Sequence, residues 1–169
     1  ASASAAASAS TSAPVELGVQ GFLFVTYMAK PPTAAEVEAS KARVRKAATD
    51  VPLVDDPKRA EPPMVQVFTA SGADLQPISP STLQLFAHGL DDSAKAAASA
   101  AQGALGTLWI LDRDDTHRRM KAALAVARDN AVALHGLVWD DTLRMLYTPT
   151  AFDAERIASW QGDVPDVRR

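Results

Sequence analysis

Five aspartates and two arginines are the side chains whose type and spacing could do chemistry. Asp112, Asp114 and Asp115 follow one apolar run, and Asp140 and Asp141 follow another. If the two runs are neighbouring parallel strands, all five carboxylates lie beyond strand C-terminal ends, where open α/β sheets bind ligands. A convergent set of hard oxygen donors suits magnesium or calcium, so either ion is the cofactor such a cluster would take. The same residues also have a plainer use. Asp114 or Asp115 is a normal helix cap, and Asp140-Asp141 is normal hairpin-turn chemistry. Arg118 and Arg119, preceded by His117, fall in the first turn of the helix that follows Asp115. Cations there oppose the helix dipole by about 0.3–1 kcal/mol each. Either the nearby aspartates neutralise them, or they join the helix N-terminus as an anion site for a phosphate or carboxylate. Closeness in sequence favours neutralisation by Asp112, Asp114 and Asp115.

What is missing narrows the chemistry further. The chain has no G-x-G-x-x-G, no P-loop, no G-x-S-x-G and no H-E-x-x-H. It has no cysteine, which removes disulfides, thiolate catalysis and cysteine-ligated zinc. His88, His117 and His135 are scattered at spacings that match no metal motif. No catalytic residue is assigned. A net charge of -3 supplies no field for a phosphate backbone, so nucleic acid is not an expected partner. No apolar run approaches the ~18 residues of a membrane helix, so no transmembrane segment is expected. Trp109, Trp139 and Trp160 read as core or rim aromatics.

The elements that must position these residues follow from periodicity. Thr107 to Leu111 is short and apolar enough for a buried strand. Met120, Ala123, Leu124, Ala127, Ala131 and Leu134 then recur at helical spacing, and Gly136 stands where a C-terminal glycine ends a helix. Leu137 to Trp139 returns as a strand, which makes positions 106–140 a βαβ unit whose two strands are expected to pair in parallel. Asp140-Asp141-Thr142 turns into a further strand, Arg144 to Thr148. Earlier in the chain, Gln20 to Met28 is the strongest strand signal. Thr33 and Glu36 form a capping box for a helix from Ala34 to about Thr49. Val51 to Pro63, with four prolines, is expected to be irregular, and Met64 to Ala70 to be a strand. Ser79-Pro80 caps a helix over Ser81 to His88. Asp91-Asp92 caps an alanine-rich one over Ser93 to Leu105. Thr148 and Pro149 start a last helix carrying Phe152, Ile157 and Trp160. The fold expected is α/β, with α+β as the variant: one domain at 15–169, a mixed sheet of four to five strands with helices packed on it.

Positions 1–14 are almost pure Ala and Ser and read as a tail or linker. The start at Ala1 is consistent with a trimmed methionine, a chosen boundary or a removed presequence. The tail looks like what lies downstream of a cleavage site. Periplasmic or secreted location is therefore favoured over cytoplasmic, with an organelle as the alternative. The close on Val167-Arg168-Arg169 is abrupt, and further chain is expected beyond it.

Two segments, GLVWDDTLRMLYTPTAF (Gly136 to Phe152) and RIASWQGDVPDV (Arg156 to Val167), resemble a pattern in uncharacterised bacterial proteins. The resemblance covers only Gly136 to Val167. It implies an α/β domain of unknown function and supplies no catalytic residues. The leading expectation is a non-catalytic binding or interaction module with a protein partner, exported and tethered through its tail. One alternative is a small enzyme acting on an anionic substrate at the Asp/Arg-lined sheet edge. The other is an accessory subunit of a larger assembly. The oligomeric state is open.

Overall fold

A computed structural model of the chain describes residues 19–160, except 60, 77, 88, 113–115 and 159. The Ala/Ser tail and the last nine residues therefore lie outside the described residues. Aromatic and β-branched residues make Val19–Met28 a ten-residue strand, β1, and it becomes the middle of the sheet. On one side it pairs antiparallel with β4 (Gly103–Asp112), from Val19 opposite Asp112 to Met28 opposite Gly103. On the other it pairs antiparallel with β5 (Leu137–Asp140), Phe24 facing Asp140 and Tyr27 facing Leu137. β3 (Met64–Ser71) runs antiparallel to β4, and β6 (Met145–Tyr147) antiparallel to β5. A two-residue strand, β2 (Leu53–Val54), adds parallel to β3. The order is β2-β3-β4-β1-β5-β6.

The α/β expectation holds, with six strands where four to five were expected. The extra one is β2, inside the proline-rich stretch read as irregular. The expected βαβ unit also needs correction. β4 and β5 do run parallel, because both oppose β1, yet β1 lies between them and they do not pair. β1 and β3 are likewise parallel with β4 between them. The chain thus builds two interleaved split βαβ units.

Helices α1 (Ala34–Ala47) and α4 (Thr116–Ala133) are the two crossovers and cover one sheet face. The capping box of α1 is present: Glu36 N–H donates to Thr33 Oγ1 (3.3 Å) and Thr33 N–H to Glu36 Oε2 (2.7 Å). The apolar stripe of α4 packs on Phe22, Phe24, Leu105, Trp109, Leu111 and Val138. Helix α5 (Pro149–Phe152), capped by Thr148, runs into a π-helical turn over Asp153–Ile157. It sets Phe152 edge-on to Phe24 and Tyr147. Arg128 fastens this end to α4 by donating from Nη1 to Asp153 Oδ1 (2.6 Å).

Among the described residues the other sheet face is covered only in part, by α2 (Pro80–Phe86) and α3 (Asp92–Ser99) packing near β5 and β6. Here α3 ends well before Leu105, and Gly103 to Leu105 belong to β4. Alanine favours helix by only tenths of a kcal/mol per residue, and pairing with strands on both sides outweighs that. Gly103 also suits the strand, since a Cβ there would stand 2.6 Å from the Lys30 carbonyl oxygen. The end of α4 differs from expectation too. His135 (φ 49°), and not Gly136, takes the left-handed conformation. Gly136 is needed for another reason: a Cβ on it would meet the Tyr27 carbonyl oxygen at 2.5 Å.

Candidate functional site

The expected acidic edge separates once the register is known. Asp112 lies opposite Val19 and Asp140 opposite Phe24, five residues apart along β1. At ~3.4 Å per residue and ~4.8 Å per strand spacing, their backbones are about 20 Å apart. They also point to opposite faces. Asp140 alternates with buried Val138 on the helix-covered face, whereas Asp112 falls out of phase with Leu105, Trp109 and Leu111. Asp114 and Asp115 lie outside the described residues, as does His88. Among the described residues no three acidic or histidine side chains are placed to share a metal ion.

Asp140 has a structural task instead. Its side chain is fully buried, its Oδ1 accepts from the Thr142 and Leu143 N–H groups (3.0 and 3.4 Å), and its Oδ2 accepts from Arg156 Nε (2.9 Å). The first two bonds are the expected turn chemistry. The third ties the β5–β6 hairpin to the π-helical turn. Tyr147 lies close to this pair, and burial pushes its hydroxyl up to about 12, with Arg156 opposing and Glu155 and Asp140 adding to the rise.

Arg118 and Arg119 share a carboxylate the sequence did not point to, and the expected partners Asp114 and Asp115 lie outside the described residues. Both donate from Nη2 to one oxygen, Oδ2 of Asp50, at 3.0 and 3.1 Å. Asp50 sits after α1, where α1 and α4 run side by side. Its own backbone N–H, and then the two guanidiniums, hold its carboxyl below the usual aspartate value. Two cations sharing one carboxylate make an interhelical clasp and give an incoming anion a competitor.

The concave feature with convergent chemistry lies on the partly covered face. A cleft of about 330 Å³ is lined by Leu23, Val25 and Tyr27 of β1, Trp139 of β5, Gln76, Ile78 and Thr82 around the start of α2, and Asp141. Alternation along β1 sends Leu23, Val25 and Tyr27 to this face, while Phe22, Phe24 and Met28 enter the core. On the far side of β1, the partners of Val25 and Tyr27 are Gly106 and Ala104, and the Phe68 ring lies over Gly106. Trp139 pairs directly with Val25 and forms one wall. Its ring is fixed at both ends: it sits perpendicular to Phe86 with centroids 6.3 Å apart, and its Nε1 donates to Asp141 Oδ1 (3.1 Å). Asp141 is exposed and is anchored by its own N–H, which donates to the Leu23 carbonyl (3.1 Å). Tyr27 is half-buried. Burial raises its hydroxyl above the usual 10.0, and the negative charge of Asp141 raises it further.

Of the sequence candidates among the described residues, only Asp141 reaches this cleft. Tyr27, Gln76, Thr82 and Trp139 were not singled out as site residues. Alternation within β1 was the one available signal for Tyr27. The remainder depends on where α2 lands. Comparison with known protein families, with curated proteins and with solved structures finds no match.

Proposed function

We infer that this chain is a non-catalytic binding module whose ligand seats in the cleft between β1, β5 and the start of α2. The supporting observation is the cleft's make-up: an apolar floor, a fixed aromatic wall and a few polar groups, the usual composition of a small-ligand site. Its described lining has one carboxylate and one phenol and no histidine, lysine or arginine. No hydroxyl or amine nucleophile lies within hydrogen-bond reach of Asp141 among the bonds described. Such a lining orients a guest and offers no activated nucleophile. The anionic-substrate reading gains nothing comparable, since Arg118 and Arg119 are both engaged with Asp50.

A fragment titration followed by amide and indole NMR shifts tests the reading. Binders should move the Trp139 indole and the amides of Leu23, Val25, Tyr27 and Asp141 together. Trp139→Ala should abolish these shifts while leaving dispersion elsewhere intact. Binders that cluster at other residues, or that are indifferent to Trp139→Ala, would refute it.

A further inference from the structure

We propose that the cleft selects a ligand with a cationic nitrogen, an ammonium or guanidinium, next to an apolar or aromatic group. The proposal rests on the binding-module reading and names the chemical class of its ligand.

Charge at the cleft has one sign. Asp141 is the one charged side chain in its described lining. A carboxylate offers about four acceptor positions, and the Trp139 indole N–H uses one of them. The remaining capacity suits an N–H donor that carries charge, because such bonds are roughly twice as strong as neutral ones. The aromatic rings add the same preference. Tyr27 and Trp139 both line the space, and the face of each ring is the negative end of its quadrupole. A cation within ~6 Å of a ring face is attracted, most strongly at tryptophan.

The field of Asp141 reaches across the cleft as well, since, after burial, it is the second cause of the raised Tyr27 hydroxyl. An anion entering would meet Asp141 with no counter-charge in that lining. A neutral group would leave the carboxylate without an ionic partner. Leu23, Val25 and Ile78 then supply the surface for an apolar portion. At about 330 Å³ the cleft is near the small end of ligand sites. That suits a group the size of one side chain: a free arylalkylamine, or an arginine side chain presented by a peptide.

Three near-isosteres separate the possibilities: 2-phenylethylamine, 2-phenylethanol and 3-phenylpropionate, each titrated into the whole chain near neutral pH. The cation should bind about tenfold more tightly than the alcohol, within what an aromatic face and a carboxylate supply together. The carboxylate probe should bind weakest. Asp141→Asn keeps an acceptor for the indole N–H, so it should cut the preference to the smaller part the ring faces supply while the alcohol binds as before. Added salt should narrow the gap between cation and alcohol. A blocked arginine amide, titrated in parallel, distinguishes a peptide side chain from a free amine as the source. Equal binding of amine and alcohol at the cleft residues overturns the charge inference and leaves the binding module standing. No shift at those residues with any of the four probes up to millimolar concentrations overturns both.

Discussion

Replacing Asp140 with asparagine isolates the charge of the buried pair from its geometry. Asparagine retains a carbonyl oxygen for the Thr142 and Leu143 N–H groups, so the hairpin turn keeps its bonds. What it loses is the ionic bond from Arg156, whose side chain is 21% exposed against 0% for Asp140. Breaking a buried pair from one side costs about 3–5 kcal/mol, because the partner is left charged and unpaired. Arg156 retains some access to water and the amide oxygen still accepts a hydrogen bond, so about 3 kcal/mol is expected. In a domain of this size that lowers Tm by about 6–12 °C. Asp140→Ala also removes the turn bonds and should cost about 1 kcal/mol more. Equilibrium urea unfolding, with Arg156→Met and the double variant completing a cycle, reads the coupling directly. The double variant should be more stable than additivity allows by about 1–3 kcal/mol. If Asp140→Asn is neutral, or if the cycle is additive, the pair is not holding hairpin and π-helical turn together.

Three further outcomes follow from the same kind of reasoning. His135→Gly should raise stability by about 1 kcal/mol, since glycine takes the left-handed conformation without steric cost, and a urea midpoint that falls would show that the imidazole holds something of value. Gly106→Ala should cost about 2 kcal/mol, because the new methyl would stand inside the Phe68 ring, and combining it with Phe68→Ala should relieve the clash. Asp50 has a carboxyl held below its ordinary 3.8, so its contribution is present above that value and is lost as pH falls through the lower folded value. Urea midpoints of the wild type and Asp50→Asn should therefore converge as pH is lowered from about 5 to 2, and a constant gap would refute the clasp.

Local signals carried over well. The stripe from Met120 to Leu134 is buried in full, and the Thr33–Glu36 box and the Ser79, Asp91 and Thr148 caps all form. Each depends on residues within one or two turns of each other, and the helical period is enough to find them. What depended on neighbourhood across the sheet was not legible. Adjacency in sequence favoured direct pairing of β4 with β5, whereas β1 offers ten consecutive pairing positions to β4 and takes the place between them. The same exchange removed the convergence of Asp112 and Asp140. Arg118 meets a partner 68 residues away, and no spacing rule reaches that far. The cleft was hidden for a similar reason. It needs Gln76, Ile78 and Thr82 brought beside Leu23, Val25 and Tyr27 of β1, a combination without periodic trace.

The place of β1 also sets the tempo of folding. It is synthesised long before either of its partners, because both its neighbours come from the far half of the chain. At ~5–20 residues per second, on the order of ten seconds of synthesis separates the emergence of Met28 from that of Gly103. Through that interval an apolar strand, GFLFVTYM, waits with both hydrogen-bonding edges open. Such a segment is an aggregation hazard and an expected stretch for a chaperone to hold. A circular permutant beginning at Pro32 would place β1 after β5 and shorten the wait. Its co-translational yield should rise while its final stability changes little.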